Sequence, residues 1–549
     1  VKNEMAMFCY QCEQTAGGKG CTRMGVCGKD PEVAALQDLL IYQLKGIGFY
    51  GQRILSEGGN IDDSVHSFVA QSLFHTLTNV NFDADRFVRM IDRSAQLKRE
   101  LAERSRSVSS NIPAAAGYQP PAEKDRMIDE GRELGVLSDD LPEDILSLRE
   151  LVLYGLKGLA AYAHHAEVLG YTDRSLNEFF YRALDFTLGD DHSVAAYVDM
   201  ALEVGRQNLR CMELLDRANT DRFGNPEPTE VLVTRKKGPF IVVSGHDLYD
   251  LTTILEQTEG TGINVYTHGE LLPANAYPEL KRYNHLIGNY GGAWQDQQKE
   301  FDEIPGCVVM TTNCIQKPRE SYSDRIFTTG PAGWPEVSHI SGEGSDKDFS
   351  EVIARARELG GWSEDEKEKR ITIGFGHNAV LAEADRIVEA VQEGKISHFF
   401  LIGGCDGARG RRSYYEELAD TVPGDAIILT LACGKYRFNK KDFGTVAGLS
   451  RLLDVGQCND AHSAIRVASA LAEAFDCDVN ELPLSLVLSW YEQKAVSILL
   501  SLFALDIRGI RLGPTLPAFV SPGVLDALVE NFDVQPTTTP EEDLEALLG

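Results

Sequence analysis

The sequence predicts a multidomain α and α/β protein, with an all-helical amino-terminal unit followed by two doubly wound α/β units. Three observations carry this. Residues about 32 to 220 keep apolar residues at helical spacing, and the pattern is written twice. Past the turn-rich Asp221-Arg-Phe-Gly-Asn-Pro-Glu-Pro228, short apolar runs alternate with helical segments. Several of those runs end in a turn that carries Cys, His or Glu. At 549 residues the chain is too long for one core. The expected units are 1–220, 221–370 and 371–549.

The chain begins with Phe8-Cys-Tyr-Gln-Cys12, followed by Cys21 and Cys27-Gly28. Cys-x-x-Cys lets two sulfurs reach one metal or cluster, and the later pair completes four thiolates. An iron–sulfur cluster, a structural zinc and a redox dithiol all fit the residue types. The five-residue gap before Cys27 and the flanking Phe8 and Tyr10 favour the cluster.

Leu36, Leu39, Tyr42, Leu44, Lys45, Gly46 and Tyr50 recur as Leu148, Leu151, Tyr154, Leu156, Lys157, Gly158 and Tyr162. Ser64, Phe68, Leu73, Thr76 and Leu77 recur as Ser175, Phe179, Leu184, Thr187 and Leu188. This is a duplicated helical hairpin or three-helix unit. Ile112-Pro-Ala-Ala-Ala-Gly-Tyr-Gln-Pro-Pro121 reads as the linker, and the matching tyrosines read as core packing.

In the second region, Phe240–Ser244 leads to His246, and Ile263–Thr267 leads to His268-Gly-Glu270. Cys307–Met310 leads to Cys314. Ile371–Gly374 is expected to open the second alternating series. There His398-Phe-Phe-Leu-Ile-Gly-Gly leads to Cys405, Ala426–Leu431 to Cys433, and Leu452–Val455 to Cys458. Leu484–Leu488 runs into Trp490-Tyr491-Glu492-Gln-Lys494 and a helix. Gly407 and Gly410 are expected to hold the turn after Cys405 against its ligand. In open parallel sheets such strand tips share the edge where ligands bind.

A hydrophobic fraction of 43% and a charged fraction of 25% are ordinary for globular proteins. A net charge of −30 argues against nucleic acid or an anionic membrane as partner. No signal peptide or membrane-spanning run is legible, so a cytoplasmic location is expected. Eleven cysteines without a secretory signal point to metal or redox chemistry rather than disulfides. Cys211, Cys307 and Cys477 read as structural.

His246, Glu270, Cys314, Cys405, Cys433, Cys458 and Glu492 form a set too large for one ion. Thiolates mixed with imidazole and carboxylates point to a polynuclear iron centre with sulfur and oxygen bridges and an open iron. The bare residues do not separate His268 from Glu270 as ligand.

Cys-x2-Cys-x8-Cys-x5-Cys, Ser-Gly-His246-Asp, Thr-His-Gly-Glu270, Thr-Thr-Asn-Cys314, Gly-Gly-Cys405-Asp-Gly, Ala-Cys433-Gly-Lys-Tyr-Arg-Phe, Gly-Gln-Cys458-Asn-Asp and Trp-Tyr-Glu492-Gln-Lys-Ala together closely resemble the hybrid-cluster (prismane) proteins, or hydroxylamine reductases. The resemblance spans essentially the whole chain. The short cysteine spacing is similar to the anaerobes' subgroup that carries a [4Fe-4S] cluster, here on Cys9, Cys12, Cys21 and Cys27. The resemblance implies two Rossmann-like units related in fold to the carbon monoxide dehydrogenases. It implies a hybrid [4Fe-2O-2S] cluster held by the seven residues above, with Cys405 carried as a persulfide when oxidised and Lys494 beside the cluster.

The activity so implied is reduction of hydroxylamine, a small nitrogenous substrate, with electrons from a redox donor protein. Lys494 or Tyr491 is the expected proton donor. Nitric oxide reduction or protein S-nitrosylation under nitrosative stress would use the same residues. A non-enzymatic electron carrier or redox sensor is the alternative from another class. Carbon monoxide oxidation is disfavoured, because it needs nickel in a differently liganded cluster.

Overall fold

A computed structural model describes residues 5–105, 112–138, 140–189, 192–302 and 304–549. The first helix starts where Asp30-Pro31 dictates. Pro31 occupies the first turn, and the Asp30 carboxylate accepts from the Val33 amide at 2.8 Å. The duplication is realised helix by helix. α1 (Pro31–Ser56) and α6 (Glu143–Val168) have 26 residues each, and α2 (Asp63–His75) and α7 (Arg174–Phe186) have 13 each. α3 (Ala84–Arg104) and α8 (Val194–Phe223) complete the two copies. α4 (Ala114–Gly117) gives the linker a single helical turn, and α5 (Lys124–Glu133) follows it.

The first sheet contains β1 (Thr229–Leu232), β2 (Phe240–Ser244), β3 (Asn264–His268), β4 (Leu286–Asn289), β5 (Cys307–Met310), β6 (Ile326–Thr329), β7 (Ser338–Ile340) and β8 (Arg370–Ile373). Their order is β7-β6-β5-β2-β3-β4-β1-β8. All neighbours pair in parallel except β8, which lies antiparallel on β1 with Thr229 opposite Ile373. Residues 370–373 therefore close the first sheet rather than open the second. Their alternating buried and exposed residues suit an edge strand with one face in water.

The second sheet contains β9 (His398–Gly404), β10 (Ala426–Thr430), β13 (Leu452–Asp454), β14 (Leu484–Ser489), β15 (Ile510–Gly513) and β16 (Gln535–Pro536). A two-stranded hairpin, β11 (Thr445–Val446) and β12 (Leu449–Ser450), stands apart from it. The order β13-β10-β9-β14-β15-β16 is wholly parallel. Chain direction across the sheet reverses between β9 and β14, and in the first sheet between β2 and β5. Those are the topological switch points.

The helical unit and the second sheet share one continuous apolar core, whereas the first sheet has separate apolar clusters, joined from the helical unit by Phe223 in one and by Phe82 and Cys27 in another. The junction is the helix Gln493–Ala504, which lies on α6 and α8. Small residues permit the approach: a Cβ on Gly158 would lie 2.3 Å from the Gln493 carbonyl oxygen, and one on Gly205 2.1 Å from that of Leu500. Overpacking such a contact costs about 1–3 kcal/mol. Gly205→Val is therefore expected to lower the midpoint of thermal unfolding. Gly117→Ala, which meets nothing within 4 Å, is expected to leave it unmoved.

Candidate metal centre

Each of the seven residues singled out at strand tips lies past the carboxyl end of a parallel strand. His246, Glu270 and Cys314 follow β2, β3 and β5, and Cys405, Cys433, Cys458 and Glu492 follow β9, β10, β13 and β14. The two switch points thus contribute His246 with Cys314, and Cys405 with Glu492. The chain turns sharply to present them. Gly245, Gly269, Gly404 and Ala432, each directly before one of these residues, have φ of 113°, 58°, 107° and 59°. Cys314 itself has φ of 79°. Left-handed backbone at the non-glycine residues Ala432 and Cys314 costs free energy, of the kind concentrated at functional sites.

The donor atoms meet. One ligand atom each from His246, Glu270 and Cys458 lie within 4.8 Å of one another. His246 Nε2 is 3.6 Å from Glu270 Oε2, and the Cys458 amide donates to that oxygen at 2.8 Å. The Gln457 amide group ties the two sheets together, donating to the carbonyls of His246 (3.1 Å) and Glu270 (2.7 Å). Glu492 caps the helix Gln493–Ala504 by accepting from the Lys494 amide at 2.8 Å. The Lys494 ammonium reaches His246 Nε2 at 2.8 Å, Asn313 Oδ1 at 2.9 Å and Glu492 Oε1 at 3.7 Å. Cys314, Cys405 and Cys433 cluster with Cys12, Trp294 and Tyr491 on the other side.

Burial and neighbouring charges shape the electrostatics of this group. Burial pushes the four thiols up, Cys405 to about 12 and Cys314, Cys433 and Cys458 also above their usual range, with nearby carboxylates adding to the effect. Burial raises Glu492 as well, against the pull of Lys494. His246 is driven far below the usual imidazole range by burial and then by Lys494, so it is neutral. Its Nδ1 is paired with Thr312 Oγ1 at 2.9 Å, leaving Nε2 directed at Glu270 and Lys494. A neutral imidazole held through one nitrogen by an outer partner is the form in which histidine binds metal. Four thiols, Cys433 and Cys458 buried and Cys314 and Cys405 half-buried, with two carboxylates around Lys494 fit a multiply charged cationic group, which would displace the thiol protons on binding.

His268 is separated from Glu270 by its partners. Its ring is fully buried, with Nδ1 paired to Ser244 Oγ and Nε2 to Glu300 Oε2, both at 2.9 Å. Both nitrogens are engaged, so Glu270 is the free donor of that turn.

The amino-terminal cysteines are gathered too. Cys9 and Cys21 pair as a β-bridge, the Ala16 amide donates to Cys21 Sγ at 3.4 Å, and Lys29 Nζ to Cys9 Sγ at 3.7 Å. Burial followed by Cys27 and Cys9 raises Cys12. The Trp294 and Tyr491 rings, 4.5 Å apart, lie beside Cys12, and Tyr491 is also raised, by burial and then by Cys12, Cys27 and Cys314.

Two expectations, both on the glycines after Cys405, change. Gly407 does not face the metal centre: a Cβ there would meet Arg412 Nε at 2.8 Å, and Gly410 meets nothing. The tight approach is at Gly404, 2.1 Å from the Ser489 carbonyl oxygen. Tyr162 packs in the main core as expected, a core that also takes in Cys458. Sequence reasoning also passed over Thr312, Asn313 and Arg412, although each stands within or beside a quoted motif. The remaining cysteines are structural: Cys211 donates to the Leu159 carbonyl at 3.8 Å, Cys307 lies within β5, and Cys477 packs at the edge of the main core.

Side chains able to hold metal thus gather at the switch points of both sheets, where open sheets bind ligands. The Prismane/CO dehydrogenase family model matches residues 7–545, and the chain belongs to that family. Membership implies bound iron–sulfur clusters. The chain is 54% identical over 547 residues to the hydroxylamine reductase of Syntrophobacter fumaroxidans, covering 99% of this chain and 100% of that protein. It is 52% identical to that of Thermodesulfovibrio yellowstonii, with the same coverage. Among solved structures, carbon monoxide dehydrogenase IV from Carboxydothermus hydrogenoformans shares the fold with a TM-score of 0.57. The identity is 15%, over 98% of this chain and 92% of that one. No helix among the described residues is long and apolar enough to cross a membrane.

Proposed function

We propose that this chain reduces hydroxylamine to ammonia and water, NH2OH + 2 e⁻ + 2 H⁺ → NH3 + H2O. The observation that carries the reading is the convergence of His246, Glu270 and Cys458 donor atoms within 4.8 Å at the meeting edges of two sheets, in a chain that matches named hydroxylamine reductases end to end. Cys9, Cys12, Cys21 and Cys27 would hold a [4Fe-4S] cluster. His246, Glu270, Cys314, Cys405, Cys433, Cys458 and Glu492 would hold a hybrid [4Fe-2O-2S] cluster, with Cys405 as its persulfide position. When bound, the iron supplies electrons and a Lewis-acidic open position. The protein's own residues do the rest. Lys494 holds a proton at Nζ among His246, Asn313 and Glu492, where cleavage of an N–O bond consumes one. Tyr491, buried beside Cys12, Cys314 and Cys405, is the second candidate for that part. The unit boundaries belong to the same reading: 1–220, 221 to the end of β8 near 373, and the remainder.

An iron and labile-sulfide count with EPR, together with anaerobic assay of ammonia formed from hydroxylamine, tests it. Two distinct cluster signals and stoichiometric ammonia are expected; zinc in place of iron would overturn the account. Chelating the iron is expected to abolish turnover.

A second reading, nitric oxide reduction, is favoured by one feature. An apolar cavity of about 220 Å³, lined by residues such as Leu431, Leu486 and Val496, reaches Cys405 and Cys458. Such a lining suits an apolar diatomic better than hydroxylamine. The ratio of kcat/KM for the two substrates decides between them.

A further inference from the structure

The chain carries a net charge of −30, yet one surface beside the amino-terminal cysteine loop is basic. Arg86, Arg89 and Arg93 stand at helical spacing along α3 and line one hollow with Trp334. Arg86 is anchored, donating to the carbonyls of Gly330 at 2.5 Å and Ala332 at 3.1 Å. Arg89 is 67% exposed, with only a loose 3.9 Å approach to Asp83. Asp83 is itself occupied in capping α3, accepting from the Asp85 and Arg86 amides. Arg93 is exposed and makes no ion pair with a described residue, and the same is true of Lys19 and Arg23 in the cysteine loop.

This hollow connects to the cysteines through one ring. Trp334 packs at a tilt against Phe82, ring centroids 4.2 Å apart, and closes over Gly28: a Cβ on Gly28 would lie 3.2 Å from its ring tip. Trp334 and Cys27 pack in one apolar cluster. Cys9 and Cys27 are only partly buried. Met24 and Val26, in the loop between Cys21 and Cys27, are 59% and 57% exposed. Exposed apolar side chains over a redox centre, with exposed cations nearby, match weak electron-transfer interfaces, where charge guides the encounter and little area is buried. A small-anion site would instead need its donors buried and aimed inward, and Arg89 and Arg93 face water.

We propose that Arg89 and Arg93, with Met24, Val26 and Trp334, form the docking surface for an acidic one-electron carrier protein of the ferredoxin type, which delivers electrons at Cys27. The proposal rests on the cluster reading of the four cysteines. It explains how an acidic enzyme accepts an acidic donor: local positive charge at this surface offsets the long-range repulsion.

The test uses the iron-loaded protein and a reduced acidic [4Fe-4S] ferredoxin in stopped-flow at ionic strengths of about 10 mM and about 150 mM, where the screening length falls from about 30 Å to about 8 Å. Arg89→Glu/Arg93→Glu is expected to lower the low-salt second-order rate about tenfold or more and to flatten its salt dependence. Direct reduction by dithionite should be unchanged. Arg386→Glu/Arg508→Glu alters net charge equally at two exposed sites on the second α/β unit, and should leave the ferredoxin rate near wild type. An unchanged rate in the first variant, or an equal fall in the second, overturns the proposal. If the cysteines hold no cluster, ferredoxin and dithionite fail alike, which separates failure of the cluster reading from failure of the docking surface.

Discussion

Lys494→Met is expected to lower kcat for hydroxylamine by about 10²–10⁴-fold, the range contributed by a positioned acid, with iron content retained. The lysine is fully enclosed, and among the described residues its ammonium is the one cation in direct contact with both His246 and Glu492. Burial alone would lower its pKa, but Cys458, Glu492 and Cys314 outweigh burial and hold it above the ordinary lysine range. It therefore remains a loaded proton store throughout the neutral range. Methionine keeps the length and apolar volume of the stem, so loss of the proton is separated from loss of packing. The measurement is kcat and KM under anaerobic conditions, alongside an iron count and EPR. A fall in kcat with KM and cluster signals intact places Lys494 at the bond-breaking step. Unchanged turnover would remove it from the mechanism, and a parallel loss of iron would instead assign it to holding the site's charge.

Much of this was legible from residues because it follows from local rules. The duplication could be read since α1 and α6 repeat both their apolar stripe and their length, and the strands since β2, β9 and β10 are short apolar runs broken by turn residues. The seven candidate ligands could be read for the same reason: each follows its strand within a few residues. What escaped depends on contacts distant in sequence. Residues 370–373 have the composition of any strand, and only pairing with Thr229–Leu232 assigns them to the first sheet. Tyr162 repeats Tyr50, so periodicity places both in the core; only the docking of the second sheet on α6 brings one of them to Cys458. Likewise nothing local tells Glu270 from His268, which is decided by Ser244 and Glu300, 24 and 32 residues away from the histidine.

Arg412→Met should be the most destabilising of these substitutions. Its guanidinium is completely buried and donates to Glu13 Oε2 at 2.8 Å, Ser489 Oγ at 2.5 Å, and the carbonyls of Trp490 and Cys405 at 2.9 and 3.1 Å. Glu13 directly follows Cys12 and also accepts from Thr515 Oγ1 at 3.0 Å. One side chain thus fixes the four-cysteine loop to the turns that carry Cys405 and Glu492. Removing Arg412 leaves the buried Glu13 carboxylate with Arg409 alone, 3.4 Å away and a third exposed, so the cost falls toward the lower end of the about 3–5 kcal/mol of a broken buried pair. The expected result is a lowered thermal midpoint and loss of iron from both cysteine groups together. Glu13→Leu combined with Arg412→Met removes both charges, and should be more stable than Arg412→Met alone even though it makes fewer hydrogen bonds. If the double variant is instead the least stable of the set, the pair's net attraction exceeds its desolvation cost. The link between the two cysteine groups then stabilises the fold by itself, rather than surviving because neither charge tolerates being left alone.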